Sequence, residues 1–90
     1  MKKNYLNSIW ENILKNEGET FYTTRNLPFT YKVIANDTIV PINRDGKEQW
    51  KLSKDNFGCA LRFDNYHTKE FNDFVIGPSY VRGILEDSRI

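Results

Sequence analysis

The sequence predicts an α+β domain: a small antiparallel sheet of three to four strands in a meander, packed on one face by N-terminal, middle and C-terminal helices. Three observations carry this. An apolar stripe of helical period lies near the N-terminus. Short β-branched and aromatic segments follow, separated by turn residues. Helical spacing returns from Ser53 onward. Successive hairpins keep strand contacts local, and helices then cover one face of the sheet.

Residues 4–16 read as an amphipathic helix, because Tyr5, Leu6, Ile9, Trp10, Ile13 and Leu14 share one stripe and Asn12, Lys15 and Asn16 lie off it. Gly18 is the stop, since glycine accepts the left-handed conformation that ends many helices. Residues 19–24 (Glu-Thr-Phe-Tyr-Thr-Thr) favour a strand. Arg25 to Pro28 is a turn. In residues 29–34, Phe29, Tyr31 and Val33 alternate with Thr30 and Lys32. Ala35-Asn36-Asp37-Thr38 reads as a tight hairpin with Asn36 and Asp37 central. The return strand, residues 38–42, contains Pro41, which cannot donate to a ladder and so argues for an edge position or an early end. Asp45-Gly46 marks another turn. Residues 49–52 form a short fourth strand, with Trp50 and Leu52 expected on one side.

Ser53 is an N-cap candidate with Asp55 in the first turn, and Phe57, Ala60 and Leu61 give a short helix over 54–63. Residues 64–69 are a polar loop. Residues 70–76 fit a helical turn and a strand equally. The last helix spans 78–86, with Tyr80, Val81, Ile84 and Leu85 on one face and Ser79 and Arg82 off it. On the sheet, Tyr22, Thr24, Thr30, Lys32 and Val40 are expected on the face opposite the helices, toward water or a partner.

Ninety residues make a single domain, 1–90, that buries roughly 60–65% of its unfolded surface. Six Phe, five Tyr and two Trp give so small a core useful volume. Charge is nearly balanced, with 13 Lys+Arg against 12 Asp+Glu, unlike a strongly basic nucleic-acid binder. Residues 1–62 carry 10 basic and 7 acidic side chains, and residues 63–90 carry 3 and 5. Cys59 is alone, which excludes an internal disulfide and suits a reducing, cytoplasmic setting. No apolar run reaches 18 residues, and no apolar segment follows Met1-Lys2-Lys3, so neither a membrane span nor a signal peptide is expected.

Catalytic chemistry finds little support. His67 is the one histidine, in a polar loop, and no Gly-x-Ser-x-Gly elbow accompanies it. Cys59 and His67, even with Asp64 and Glu70, do not form a metal-ligand spacing. The five glycines are isolated, so no phosphate-cradling loop is present. The expectation is therefore a non-enzyme with no cofactor and no metal. Two features carry weaker signals. The run Tyr22-Thr23-Thr24-Arg25 with Thr30, Tyr31 and Lys32 offers hydroxyls, cations and stacking rings, although Thr and Tyr are also simply good strand formers. Gly77-Pro78-Ser79 opens a helix whose free amides attract anions, as every helix start does.

At "GETFYTTRNLPFTYKV", "LSKDNF" and "GPSYVRGIL" the chain resembles a small, poorly characterised bacterial or phage domain of restriction and mobile-DNA neighbourhoods, over most of its length. The resemblance implies a DNA-handling or defence-related context and transfers no catalytic residue. The resulting expectation is a module that binds nucleic acid through the exposed strand face. Arg25, Lys32, Arg44, Lys54 and Arg82 would hold phosphates, Ser79 would assist at the helix start, and Tyr22 or Tyr31 would stack. Asp45 and Glu48 beside Arg44 weigh against its phosphate contact. The alternative is a protein-interaction module, such as a phage or mobile-element inhibitor of a host protein, which near-neutral charge and abundant aromatics suit. A third arrangement is a homo-oligomer formed by pairing an exposed strand edge.

Overall fold

The computed structural model describes residues 2–90, with side chains from Tyr5 onward; the expectation drawn from Met1-Lys2-Lys3 falls on side chains outside that description. Among the described residues the elements run α1 (Lys2–Lys15), β1 (Phe21–Tyr22), β2 (Pro28–Ala35), β3 (Thr38–Asn43), β4 (Leu52–Ser53), α2 (Lys54–Ala60), α3 (Lys69–Phe74) and α4 (Pro78–Leu85). The sheet is an antiparallel meander in the order β1-β2-β3-β4. This is the α+β class that the hydrophobic periods predict.

The alternation in β2 sends Phe29 and Tyr31 inward. They join Phe21, Ile39 and Leu52 from the other strands, Trp10 and Ile13 of α1, Phe57 and Ala60 of α2, Phe71 of α3 and Val81 and Ile84 of α4 in one core. Aromatic rings supply much of its volume. Phe21 lies 5.3 Å from Tyr31, and Trp10 lies 5.6 Å from Phe57, ring centre to ring centre. The Cα radius of gyration is 12.0 Å, close to the roughly 12 Å expected for a compact chain of this length.

Polar contacts lock the layers. The Asn36-Asp37 hairpin turn joins the β2–β3 pair at Ala35↔Thr38, and its Asn36 carbonyl accepts the Trp10 indole N–H at 2.8 Å. The Tyr31 hydroxyl donates to the Ile13 carbonyl at 2.6 Å, and burial raises its pKa far above the ordinary phenol value. That contact removes Tyr31 from the stacking role expected of it. Ser53 caps α2, its hydroxyl accepting the Asn56 N–H. Asn56 is buried, and its side-chain amide exchanges two hydrogen bonds, both 2.9 Å, with the backbone of Ile76. This reproduces a strand-like pairing and pins the 75–77 segment to α2.

The strands at both sheet edges are shorter than the sequence predicts, β1 being Phe21–Tyr22 rather than residues 19–24 and β4 Leu52–Ser53 rather than residues 49–52, and further departures lie at Pro41, Trp50, Val40 and residues 70–76. Pro41 lies in an internal strand. Its partner Tyr31 turns its own carbonyl away from β3, toward Gly18, so the missing Pro41 N–H points to the β4 side. There the Pro41 carbonyl still accepts the Gln49 N–H at 2.8 Å, so only the reciprocal bond is lost, and the ladder breaks just beyond. Pairing slips by one residue between Ile42↔Glu48 and Ile39↔Leu52, a β-bulge in the returning segment. The bulge also separates Trp50 from Leu52: Leu52 is fully buried, whereas Trp50 is 66% exposed. Val40, opposite Lys32 on the face away from the helices, is only 3% exposed rather than open to water. Finally, residues 70–76 divide between both readings, with α3 ending at Phe74 and Val75 extended.

Candidate functional site

Three of the cations singled out in the sequence make contacts within the fold. Lys32 is ion-paired with Glu48 across the sheet. The Lys54 ammonium donates to the Asn7 side chain at 2.9 Å, tying the start of α2 to α1. Arg82, expected on the solvent side of α4, turns inward. Its Nη1 donates to the Tyr66 carbonyl at 2.7 Å and to Asn72 Oδ1 at 3.2 Å, and the guanidinium lies 5.7 Å from the Phe71 ring centre. The side chain that sequence spacing marked for phosphate instead holds the 64–68 loop and α3 to α4.

Arg44, Arg25, Tyr22 and Ser79 remain exposed. Arg44 sits in the turn after β3 and lines two shallow depressions. One, of about 160 Å³, also involves Thr23, Pro28 and Tyr80; the other, of about 220 Å³, involves Thr30 and Ile42. Asp45 shares the first of these, so the positive field there is partly cancelled. Gly77 begins α4 in the left-handed conformation (φ 60°), with Pro78 at the first helical position and no side-chain cap. Its hypothetical Cβ would lie 3.0 Å from Leu52 Cδ2, so glycine here also permits close packing on β4.

A different surface gathers exposed apolar side chains. Phe74 is 70% exposed and Ile76 is 56% exposed, on either side of buried Val75. Their segment runs along α2, where Asn56 holds Ile76 and the Cys59 thiol lies 4.0 Å from the Phe74 carbonyl. It then reaches Leu52 through Gly77. Trp50 lies two residues before Leu52 and is turned outward by the bulge. Phe74 and Ile76 thus mark an exposed apolar corner beside α2, and Gly77 links it to Leu52, two residues after exposed Trp50. Sequence reading missed this corner because Trp50, Phe74 and Ile76 were all eligible for the core, and the unbroken alternation over Gln49 to Ser53 carries no sign of the bulge.

Arg89 was also missed. Its guanidinium stacks 4.2 Å from the Phe21 ring centre, donates to the Thr20 carbonyl at 2.7 Å and pairs with Asp87 at 2.9 Å. Those hydrogen bonds hold the Asp87 carboxyl below the usual carboxylate range. His67 pairs with Glu86 at 2.8 Å on the surface. Among the described residues, no group of three or more His, Cys, Asp or Glu side chains is arranged to hold a metal ion, and no helix is long and apolar enough to cross a membrane. No family model matches the chain, and no curated protein or solved structure matches it.

Proposed function

We propose that the chain is a non-enzymatic protein-interaction module that docks a partner on the corner bearing Trp50, Phe74 and Ile76. The exposure of these three large apolar side chains on neighbouring elements carries the reading. Aromatic anchors dominate the energetics of many interfaces, and clustered exposed apolar residues mark interaction surfaces. The internal engagement of Lys32, Lys54 and Arg82 weighs in the same direction, because it removes cations from a phosphate-binding role. In the restriction and mobile-DNA setting that the resemblance implies, the partner is a cytoplasmic host protein.

Affinity capture with the wild-type chain and with the double variant Trp50→Ala/Phe74→Ala tests the proposal. A protein held by the wild type and released by an equally folded variant supports it. Equal retention by both chains rejects it. A second reading, nucleic-acid binding, rests on Arg25 and Arg44 in turns at the same end of the sheet. It requires binding that weakens steeply with salt, so a filter-binding titration without retention at low salt removes it.

A further inference from the structure

The β1 flank of the sheet is closed in two different ways. β1 is covered by α4, whose Gly83 sits against the Tyr22 carbonyl. β2 is longer than β1, and β1 pairs only with Pro28 and Phe29. Beyond that point no strand lies beside the outer edge of β2 among the described residues. Two contacts from the segment after α1 occupy it instead. The Gly18 N–H donates to the Tyr31 carbonyl at 3.2 Å, and the Glu17 carboxylate accepts the Val33 N–H at 2.7 Å. Ile34 and Ala35, next along the strand, are exposed.

We propose that Glu17 is an edge guard, whose carboxylate occupies the outward donor of Val33 and keeps β2 from pairing with β2 of a second copy of this chain. An unpaired edge with uncharged side chains is a template for strand addition, and natural sheets block such edges with charge. Val33-Ile34-Ala35 carries neither charge nor proline. A second copy fits this edge because the pairing is self-complementary. In an antiparallel ladder the N–H and C=O of one residue point to the same side, so both groups of Val33 face outward. A two-fold axis beside Val33 lets each N–H reach the other copy's carbonyl, and such an isologous contact closes on itself. Gly18 blocks the ladder on one side of Val33, and the register shift between Val33 and Ala35 bends the strand on the other. The pairing is therefore short and the association weak.

Sedimentation velocity from low micromolar to near-millimolar protein tests the proposal. The wild type is expected to stay monomeric. Glu17→Ala is expected to move toward twice the monomer mass as concentration rises, and Glu17→Gln, which keeps an acceptor oxygen at the same reach, is expected to stay monomeric. Circular dichroism establishes that each variant is folded. Should Glu17→Ala not fold, Glu17→Asp, shorter by one methylene, is expected to associate in its place. A self-associating wild type overturns the proposal. So does a folded Glu17→Ala, or a Glu17→Asp standing in for it, that remains monomeric throughout, or a Glu17→Gln that associates as strongly as the alanine variant.

Discussion

Gly83→Ala separates what helix propensity predicts from what packing predicts, because the two have opposite signs. Gly83 lies inside α4, where alanine is favoured over glycine by about 1 kcal/mol. Propensity alone therefore makes the variant more stable. A Cβ built on Gly83 would lie 2.5 Å from the Tyr22 carbonyl oxygen and 3.3 Å from a ring carbon of Phe29. The first contact is far closer than a real Cβ tolerates, and it meets strand backbone rather than the flexible end of a side chain. Helix and strand must separate, which loosens the cover that α4 places over β1. Overpacking of this kind costs about 1–3 kcal/mol, and a backbone obstacle favours the upper half of that range. After the propensity gain is subtracted, the variant should be less stable by about 1–2 kcal/mol. For a domain of this size that is a fall in Tm of roughly 4–16 °C. Gly58→Ala is the control. Among the described residues its Cβ would meet the Leu6 Cδ2 methyl, at 3.1 Å, the free end of a side chain, so the propensity gain should survive and stability should hold or rise by up to about 1 kcal/mol. Thermal unfolding followed by circular dichroism, with urea midpoints at unchanged slope, measures both. A Gly83→Ala chain as stable as the wild type would falsify the close-approach argument.

Three further perturbations follow from the same contacts. Tyr31→Phe removes the donor to the Ile13 carbonyl and should cost about 1–2 kcal/mol in urea unfolding; no loss of stability would show that the buried bond contributes nothing net. Arg82→Ala should cost about 2 kcal/mol and speed amide exchange across residues 64–68, since it removes charged hydrogen bonds to Tyr66 and Asn72; unchanged exchange there would refute its role as a clamp. Asp87→Asn tests linkage. The Asp87 carboxyl is held below its ordinary value of 3.8 by its hydrogen bonds to Arg89, so its contribution is fully present above about pH 4 and is lost as pH falls through the lowered native value. Being largely a surface pair, it should contribute about 0–1 kcal/mol near neutrality, and the variant should show a shallower loss of stability on the acid side. An identical acid limb in both chains would contradict that assignment.

Much of this fold was legible from local chemistry. The α1 stripe, the Asn36-Asp37 turn, the Ser53 cap and the Pro78 helix start all depend on residues a few positions apart, where period, φ preference and capping act directly. The α+β class follows from them. What tertiary structure decided is where each element's unpaired groups and longer side chains go. Pro41 is tolerated inside the sheet because it forfeits a single donor on its β4 side, where its carbonyl still accepts the Gln49 N–H and a bulge follows in the returning segment. The same bulge turns Trp50 outward. Arg82 looked available on a helical wheel, yet its guanidinium is captured by the Tyr66 carbonyl sixteen residues earlier in the chain. Helix propensity alone marks Gly83 as a weak point, yet it is the position where α4 can touch β1. Hydrophobic period and turn chemistry are properties of adjacent residues and survive in the sequence alone. Hydrogen-bond partners and close approaches between distant segments exist only once the chain has closed on itself, and they determine which charges and rings remain for a partner.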